Sequence, residues 1–419
     1  MSSDSELKDL IESSEEEYSS SESESEDDSL DCVRNWCKLD STSAPMSSPQ
    51  FQFTGNPGIK HVVGDLEDPL EYLNLFFDRD IVSFIVSETN EYAADFFENS
   101  ELTPGSRALS WQYTNEDEMK KFISLLLLQR VVQKPVEKWF WSKRPSIYTP
   151  FFGKIMTEKR YGLIMKFLHF ENDSSNFNTS NHPNPKLRKI YDLHDKIVHR
   201  FKPVYIPEQN ISIGESLIAF KGRLAWKQYI PSKRARFGIK LYQLCESQSF
   251  YIWNSVIYTG KGTAFNSEFH DFGLSIKSVL SLLSDLTGKG YCLTTDNFYL
   301  SPELAEILIQ EKTDICGPMK SNRKGLPPLL KTTELKKGEI TAFQKGKICV
   351  MKWKDKKPII MLSTLHNSEM VQVQPKHTKS TAIFKPKAVV SYNNTMGGVD
   401  RSDQCISYYP VVRNRQPLW

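Results

Sequence analysis

From about residue 67 to 208 the apolar residues of this chain fall mostly at helical spacing. Leu70, Leu73, Phe77, Ile81 and Phe84 recur three or four apart, and Asn115–Val131 carries Phe122, Leu125, Leu126 and Gln129 in helical register. Acidic residues fill the first turn of that second segment, where a helix N-terminus favours them. Two more helices are predicted over about Met156–Phe170 and Lys186–Phe201, the first followed by a polar loop, Asn172–Pro185. At about residue 209 the pattern changes to strands. Ile239–Ser247 and Tyr251–Tyr258 alternate and read as a hairpin around Gln248 and Ser249. A leucine-rich helix, Ile276–Leu286, follows. Gly290 then precedes a short strand, Tyr291–Thr295, that ends at Asp296. Pro302 stands near the start of a helix, Glu303–Gln310, and a strand follows at Asp314–Met319.

This β-β-α-β-α-β order is that of an α/β layer. Residues of about 323–386 differ, with short strands such as Ile348–Lys354 and Pro358–Leu365 among many lysines and turn residues, and read as a small β-rich insertion. Ala388–Tyr392 is apolar, and Gly397–Ser407 opens a final helix.

Residues 1 to about 50 are expected to be disordered. Ser13–Asp28 is almost all serine and acid, too polar to offset its ordering entropy by burial. The net charge of +2 hides a separation. Residues 1–31 hold thirteen acids and Lys8, a balance of −12, so the remainder carries 52 − 38 = +14. A basic body suits a protein that meets polyanions, and a solvated surface with a disordered leader is the plainer alternative. Ser13, Ser14, Ser21, Ser23 and Ser25 lie before acids, a setting for an acid-directed kinase. The N-terminus has no apolar signal segment, and no apolar run approaches the roughly twenty residues that span a bilayer, so no membrane partner is expected. Seven scattered cysteines without a C-x-x-C pair argue for free thiols in a reducing compartment, Cys32 and Cys37 included.

Asp296 closes a strand with a buried pattern, and Asp400 and Asp403, three apart, share one face of the last helix. Carboxylates on a strand end and a helix face suit hard ions such as Mg²⁺, and two such ions can activate and stabilise oxygens in phosphodiester cleavage. Spacing alone is better served by the plainer reading, with Asp296 capping a turn and the helical acids meeting the helix dipole.

The wording around these acids is more specific. Ile213-Gly214-Glu215-Ser216-Leu217-Ile218-Ala219-Phe220-Lys221-Gly222-Arg223 and the segment Lys227–Leu241 resemble the first catalytic block of the piggyBac transposase family. Thr295-Asp296-Asn297-Phe298 is similar to the second block, and Tyr392–Gln404, containing Gly397-Gly398-Val399-Asp400-Arg401-Ser402-Asp403, to the third. The likeness runs from about Phe51 to Tyr409, with the blocks in the family's order. It implies a ribonuclease H-like catalytic core over 209–322 and 387–409, split by the insertion at 323–386. A mostly helical dimerisation and DNA-binding region over 51–208 and the acidic tail of 1–50 would precede that core. Family members cut DNA at inverted repeats and join it at TTAA targets using Mg²⁺, or Mn²⁺. The implied metal ligands are Asp296 and Asp400, with Asp403 as a further catalytic acid. DNA and a second copy of the chain are the implied partners, and the nucleus the implied location.

Two departures stand against these matches. Gly214 occupies the position of the family's first catalytic Asp, and glycine has no ligating atom. Glu215 is adjacent, but on a strand it points to the opposite face. Strand cleavage is therefore expected to be absent or very weak, and metal binding weak or lost. The chain also stops at Trp419, shortly after the third block, so the family's Cys/His zinc-binding tail and its recognition of repeat ends are expected to be missing.

Lys227, Lys233, Arg234, Arg236 and Lys240 cluster among Trp226, Tyr229 and Phe237. The cations are expected to contact DNA phosphates and the aromatics mostly to pack. His169, His182, His194 and His199 lack cysteine partners and are expected in core or surface roles, and Trp139 and Trp141 to fill the helical core. The leading reading is a transposase-derived DNA-binding protein with an impaired site. A working Mg²⁺-dependent transposase, a non-catalytic chromatin interaction protein and a decayed relic are the alternatives.

Overall fold

The computed structural model describes residues 36–39, 47–171, 182–220, 222–374 and 383–409. The acidic tail, its serines and Cys32 lie outside these residues, as do most of the polar loop after 171 and the chain end beyond 409.

The first ordered element corrects the expectation of disorder up to residue 50. Strand β1 (Cys37–Leu39) pairs antiparallel with a strand three hundred residues further on, β10 (Ile340–Lys345). Trp36 beside it is buried in the main core and donates its indole N–H to the Gly325 carbonyl at 3.0 Å. Phe51 and Phe53 belong to the same layer: the Phe51 N–H donates to Asp314, and the Phe53 ring meets Tyr291 edge-on.

The helical region follows. The first helical run splits in two, α1 (Pro69–Asn74) and α2 (Arg79–Glu98), because Asp78 takes an extended conformation and caps α2 by accepting from the Ile81 N–H. Next come α3 (Glu116–Val131), capped by Asn115, then α4 (Pro150–Ile155), α5 (Glu158–Phe167), capped by Thr157, and α6 (Arg188–Val204). Ile81, Ile85, Met119, Phe122, Leu125, Phe152, Tyr161 and Ile164 form its core. Of the two tryptophans expected there, Trp141 packs against that core and donates to the Met156 carbonyl, whereas Trp139 is exposed beside buried Phe140. A short pair, β2 (Gly58–Ile59) with β3 (Tyr205–Ile206), closes the region on itself.

The α/β layer is built on β4 (Asn210–Ala219), β5 (Gln228–Tyr229), β6 (Phe237–Glu246), β7 (Ile252–Ile257), β8 (Cys292–Thr295) and β9 (Asp314–Pro318). β6 lies antiparallel between β4 and β7; β8 runs parallel to β4, and β9 parallel to β8. This central order, β7-β6-β4-β8-β9, is the ribonuclease H-like arrangement. Helices α7 (Leu274–Leu283) and α8 (Pro302–Gln310) cover one face. Ser301 caps α8 and Pro302 presets its first turn.

The stretch read as an insertion does not form a sheet of its own. After the short helix α9 (Pro328–Thr332), β10, β11 (Ile348–Lys354) and β12 (Pro358–Ser363) continue the same ten-stranded sheet outward from β9. Cys349, Val350 and Met351 are buried in succession, as a strand covered on both faces requires. A separate hairpin, β13 (Met370–Val373) with β14 (Ile383–Pro386), leads into α10 (Lys387–Thr395) and α11 (Gly398–Tyr408), which pack on the second face. Cys37, Cys245, Cys292, Cys316, Cys349 and Cys405 are all free thiols.

Candidate active site

Strand β4 presents Ser212, Gly214 and Ser216 to α11. The helix comes close because Gly398 has no side chain: a Cβ there would lie 2.4 Å from the Ser212 hydroxyl and 3.0 Å from the Glu246 carbonyl oxygen. Gly214 is buried beneath the same helix, and a Cβ on it would lie 3.3 Å from both Cβ and Cγ2 of Val399 and 3.6 Å from Met396. Val399 therefore packs where a side chain at 214 would begin. On this face Ser216 donates its hydroxyl proton to the Asp403 carboxylate. Burial, only partly offset by that bond and by Lys233, holds the Asp403 carboxyl above the usual range.

The opposite face of β4 carries Glu215, as the period of two requires. Its partner is Lys240 on the neighbouring strand β6, with Nζ 2.5 Å from Oε2. The Lys240 ammonium also lies over the rings of Tyr242, Tyr258 and Phe298.

Asp296 sits just past β8, with its carboxyl enclosed although part of the residue is exposed. Its Oδ1 accepts from the Phe298 N–H at 2.8 Å, so it does cap the following turn. Burial first, and the charge of Glu215 second, push its carboxyl up to about 6, against the Phe298 bond, Lys240 and Lys233. Asp400, in the first turn of α11, is exposed and lies 3.4 Å from the Lys233 ammonium. Lys233 also donates to the Glu215 carbonyl at 2.9 Å. Burial pulls the Lys233 ammonium down, but Asp400, Glu215 and Asp403 outweigh it and hold it above its ordinary value.

The acids read from the sequence are thus gathered around lysines. Asp400 and Asp403 meet through Lys233, and Asp296 feels Glu215, Lys240 and Lys233. Sequence reasoning missed Glu215 and Ser216 as members of the site. The DDE class to which this arrangement points generally uses divalent metals, and the donor set here does not fit one. Gly214 supplies no side-chain oxygen, Asp403 is bonded to Ser216, Asp400 faces an ammonium, and among the described residues no three His, Cys, Asp or Glu side chains are placed to hold an ion.

The basic segment expected to meet DNA divides in two. Lys227 donates to the Gly222 carbonyl and lies over Phe237, and Lys233 and Lys240 are engaged as above. Arg234 and Arg236 are exposed. Tyr229 and Phe237 pack on each other at 4.5 Å, both half-exposed, while Trp226 packs beside Leu187 and Leu241. Of the histidines, His169 is buried and stacked on Tyr92, His182 meets Tyr191 edge-on, burial lowers the pKa of His194, and His199 is exposed next to Asp195.

A ribonuclease H-like sheet with one acid at the end of its second parallel strand and two on a helix crossing its first strand defines a DDE-type transposase fold. The family model described as transposase IS4 matches residues 68–419. Two human relatives are similar over most of the chain. PiggyBac transposable element-derived protein 2 is 26% identical over 85% of this chain and 59% of its own length, and protein 3 is 27% identical over 89% and 61%. A solved structure titled as a piggyBac transposase synaptic complex with hairpin DNA superposes with a TM-score of 0.71 at 27% identity, covering 85% of this chain and 71% of that one. The chain belongs to the piggyBac transposase family, and it spans about three-fifths of the length of these curated relatives.

Proposed function

We propose that this chain is a nuclear DNA-binding protein descended from a piggyBac transposase, with a degenerate site that no longer cleaves DNA. The observation that carries the reading is Gly214, buried under α11 with Val399 against it where the family's first catalytic Asp would project. Removing one member of a cooperating catalytic set commonly costs orders of magnitude in rate. Asp296, Asp400 and Asp403 remain but are matched by Lys233, Lys240 and Ser216, so Mg²⁺ or Mn²⁺ binding is weak or lost. DNA binding is supported by the basic balance of the chain and by the DNA complex named for its structural neighbour. A homodimer formed through the helical region over 51–208, and modification of the N-terminal serines by an acid-directed kinase, belong to the same proposal. A working transposase would need another acid in place of Gly214; the adjacent candidate, Glu215, is held by Lys240.

The test is nicking of repeat-end DNA with Mg²⁺ or Mn²⁺ by this chain and by Gly214→Asp, with binding measured on the same samples. The natural chain is expected to bind without nicking. Robust nicking by it would overturn the degenerate-site reading, and absence of binding by both proteins would overturn the DNA-binding one.

A further inference from the structure

The stretch 320–357 carries twelve lysines and arginines against three acids, a balance of +9 within a chain whose total is +2. Part of that charge is consumed within the fold. Lys345 pairs with Glu306, Lys347 with buried Asp314, and the Lys352 ammonium donates to the carbonyls of Lys331 and Thr333. Lys324, Lys331, Lys336, Lys337, Lys356 and Lys357 remain exposed, and none is in an ion pair among the described residues.

The backbone brings four of these lysines to one corner of the sheet. The turn at Lys336–Gly338 is stitched to the end of β11 by the Gly338 N–H donating to the Lys354 carbonyl at 2.7 Å and the Lys354 N–H donating to the Glu339 carbonyl at 3.2 Å. Lys356 and Lys357 form the turn that follows Lys354, where it pairs with Pro358. Of the nearby acids, Glu339 accepts from the Lys336 N–H within the turn, leaving Glu334 and Asp355 as the other negative charges of the stretch. The contrast with residues 227–240 is direct: there three of the five cations are engaged internally, whereas here all four ammonium groups face solvent.

We infer that the corner formed by Lys336, Lys337, Lys356 and Lys357 is a contact surface for the phosphate backbone of duplex DNA. This rests on the DNA-binding reading above and adds where the backbone is held. Such a surface gives affinity without sequence preference, and each phosphate neutralised adds about 0.9 to the slope of log K against log salt.

The experiment compares the natural chain, the quadruple Lys336→Glu/Lys337→Glu/Lys356→Glu/Lys357→Glu variant and Arg234→Glu/Arg236→Glu. Each is measured for affinity to a mixed-sequence duplex across a salt series and for retention on heparin, with thermal unfolding as the control for fold. The corner variant is expected to lose at least about tenfold in duplex affinity at low salt, to lower the salt slope by about 3, and to elute earlier from heparin. The neutral Lys→Gln quadruple should show the same changes at smaller size. Unchanged slope and heparin retention in a folded quadruple overturn the corner while leaving DNA binding intact. A natural chain that is retained on heparin but fails to bind duplex overturns the DNA assignment of the corner together with the function proposed above. A natural chain that binds neither overturns both. Should the glutamate variant not fold, loss of slope in the glutamine variant supports the corner and an unchanged slope overturns it.

Discussion

The two faces of strand β4 have met the same pressure in different ways. On one face Ser212, Gly214 and Ser216 lie under α11, and small side chains let the helix settle close to the sheet. On the other face the Glu215 carboxylate is paired with Lys240. An acid at 214 would have to project between the helix and the strand, into space that Val399 borders at 3.3 Å. The comparison teaches that the glycine at 214 does more than omit a side chain. It allows the layers around it to pack, while Lys233 and Lys240 offset part of the charge of the nearby acids.

The strongest way to break this comparison is to add bulk on the glycine face. Gly398→Ala places a methyl group against a backbone carbonyl and should cost about 3 kcal/mol in urea unfolding, the upper end of ordinary overpacking. Removing the counter-charge on the other face comes next. Lys240→Met leaves Glu215 without its counter-ion and should cost about 2 kcal/mol, less than a deeply buried pair because Lys240 and Glu215 both keep some exposure. Placing an acid at 214 should cost about 1 kcal/mol, and Gly214→Asp combined with Val399→Ala should cost less than the sum of the two single changes, which a double-mutant cycle would read. No coupling in that cycle would mean that Val399 is not what borders the position.

A pH dependence tests the surroundings of Asp296. The Asp296 carboxyl titrates near 6 in the folded chain and near 3.9 when unfolded, so the folded state holds the proton more tightly. Its contribution to stability is full below pH 4 and is lost as pH rises through 6. Asp296→Asn should therefore be more stable than the natural chain at pH 7 and close to it near pH 4. A difference that grows on acidification would reverse the assignment.

Much of this arrangement was legible in the sequence. The hairpin of β6 and β7, the strand ending at Asp296 and the acids three apart on α11 follow from period, turn residues and helix geometry. What escaped was non-local. Ser216 meets Asp403 across 187 residues and Lys233 meets Asp400 across 167, and no local spacing encodes either contact. The break between α1 and α2 was hidden because Phe77 and Ile81 keep helical spacing across the cap at Asp78. The strands after 340 looked like an insertion because their lysines dominate the composition. Their apolar run Ile348–Met351 was the signal that both faces are covered.

Strand β1 sets an order on the chain's assembly. Trp36 reaches its hydrogen-bond partner across 289 residues, and among the described residues Cys37–Leu39 has only β10 as a neighbour in the sheet. On a ribosome this short piece emerges first among the described segments, yet its partner does not exist until β10 has been made. Loop closure over such a distance is slow relative to local helix formation. The sheet is therefore completed at this edge by a segment made long before its partner strand, after α1–α6 have had time to form, and until then β10 presents an open edge to any other strand that passes.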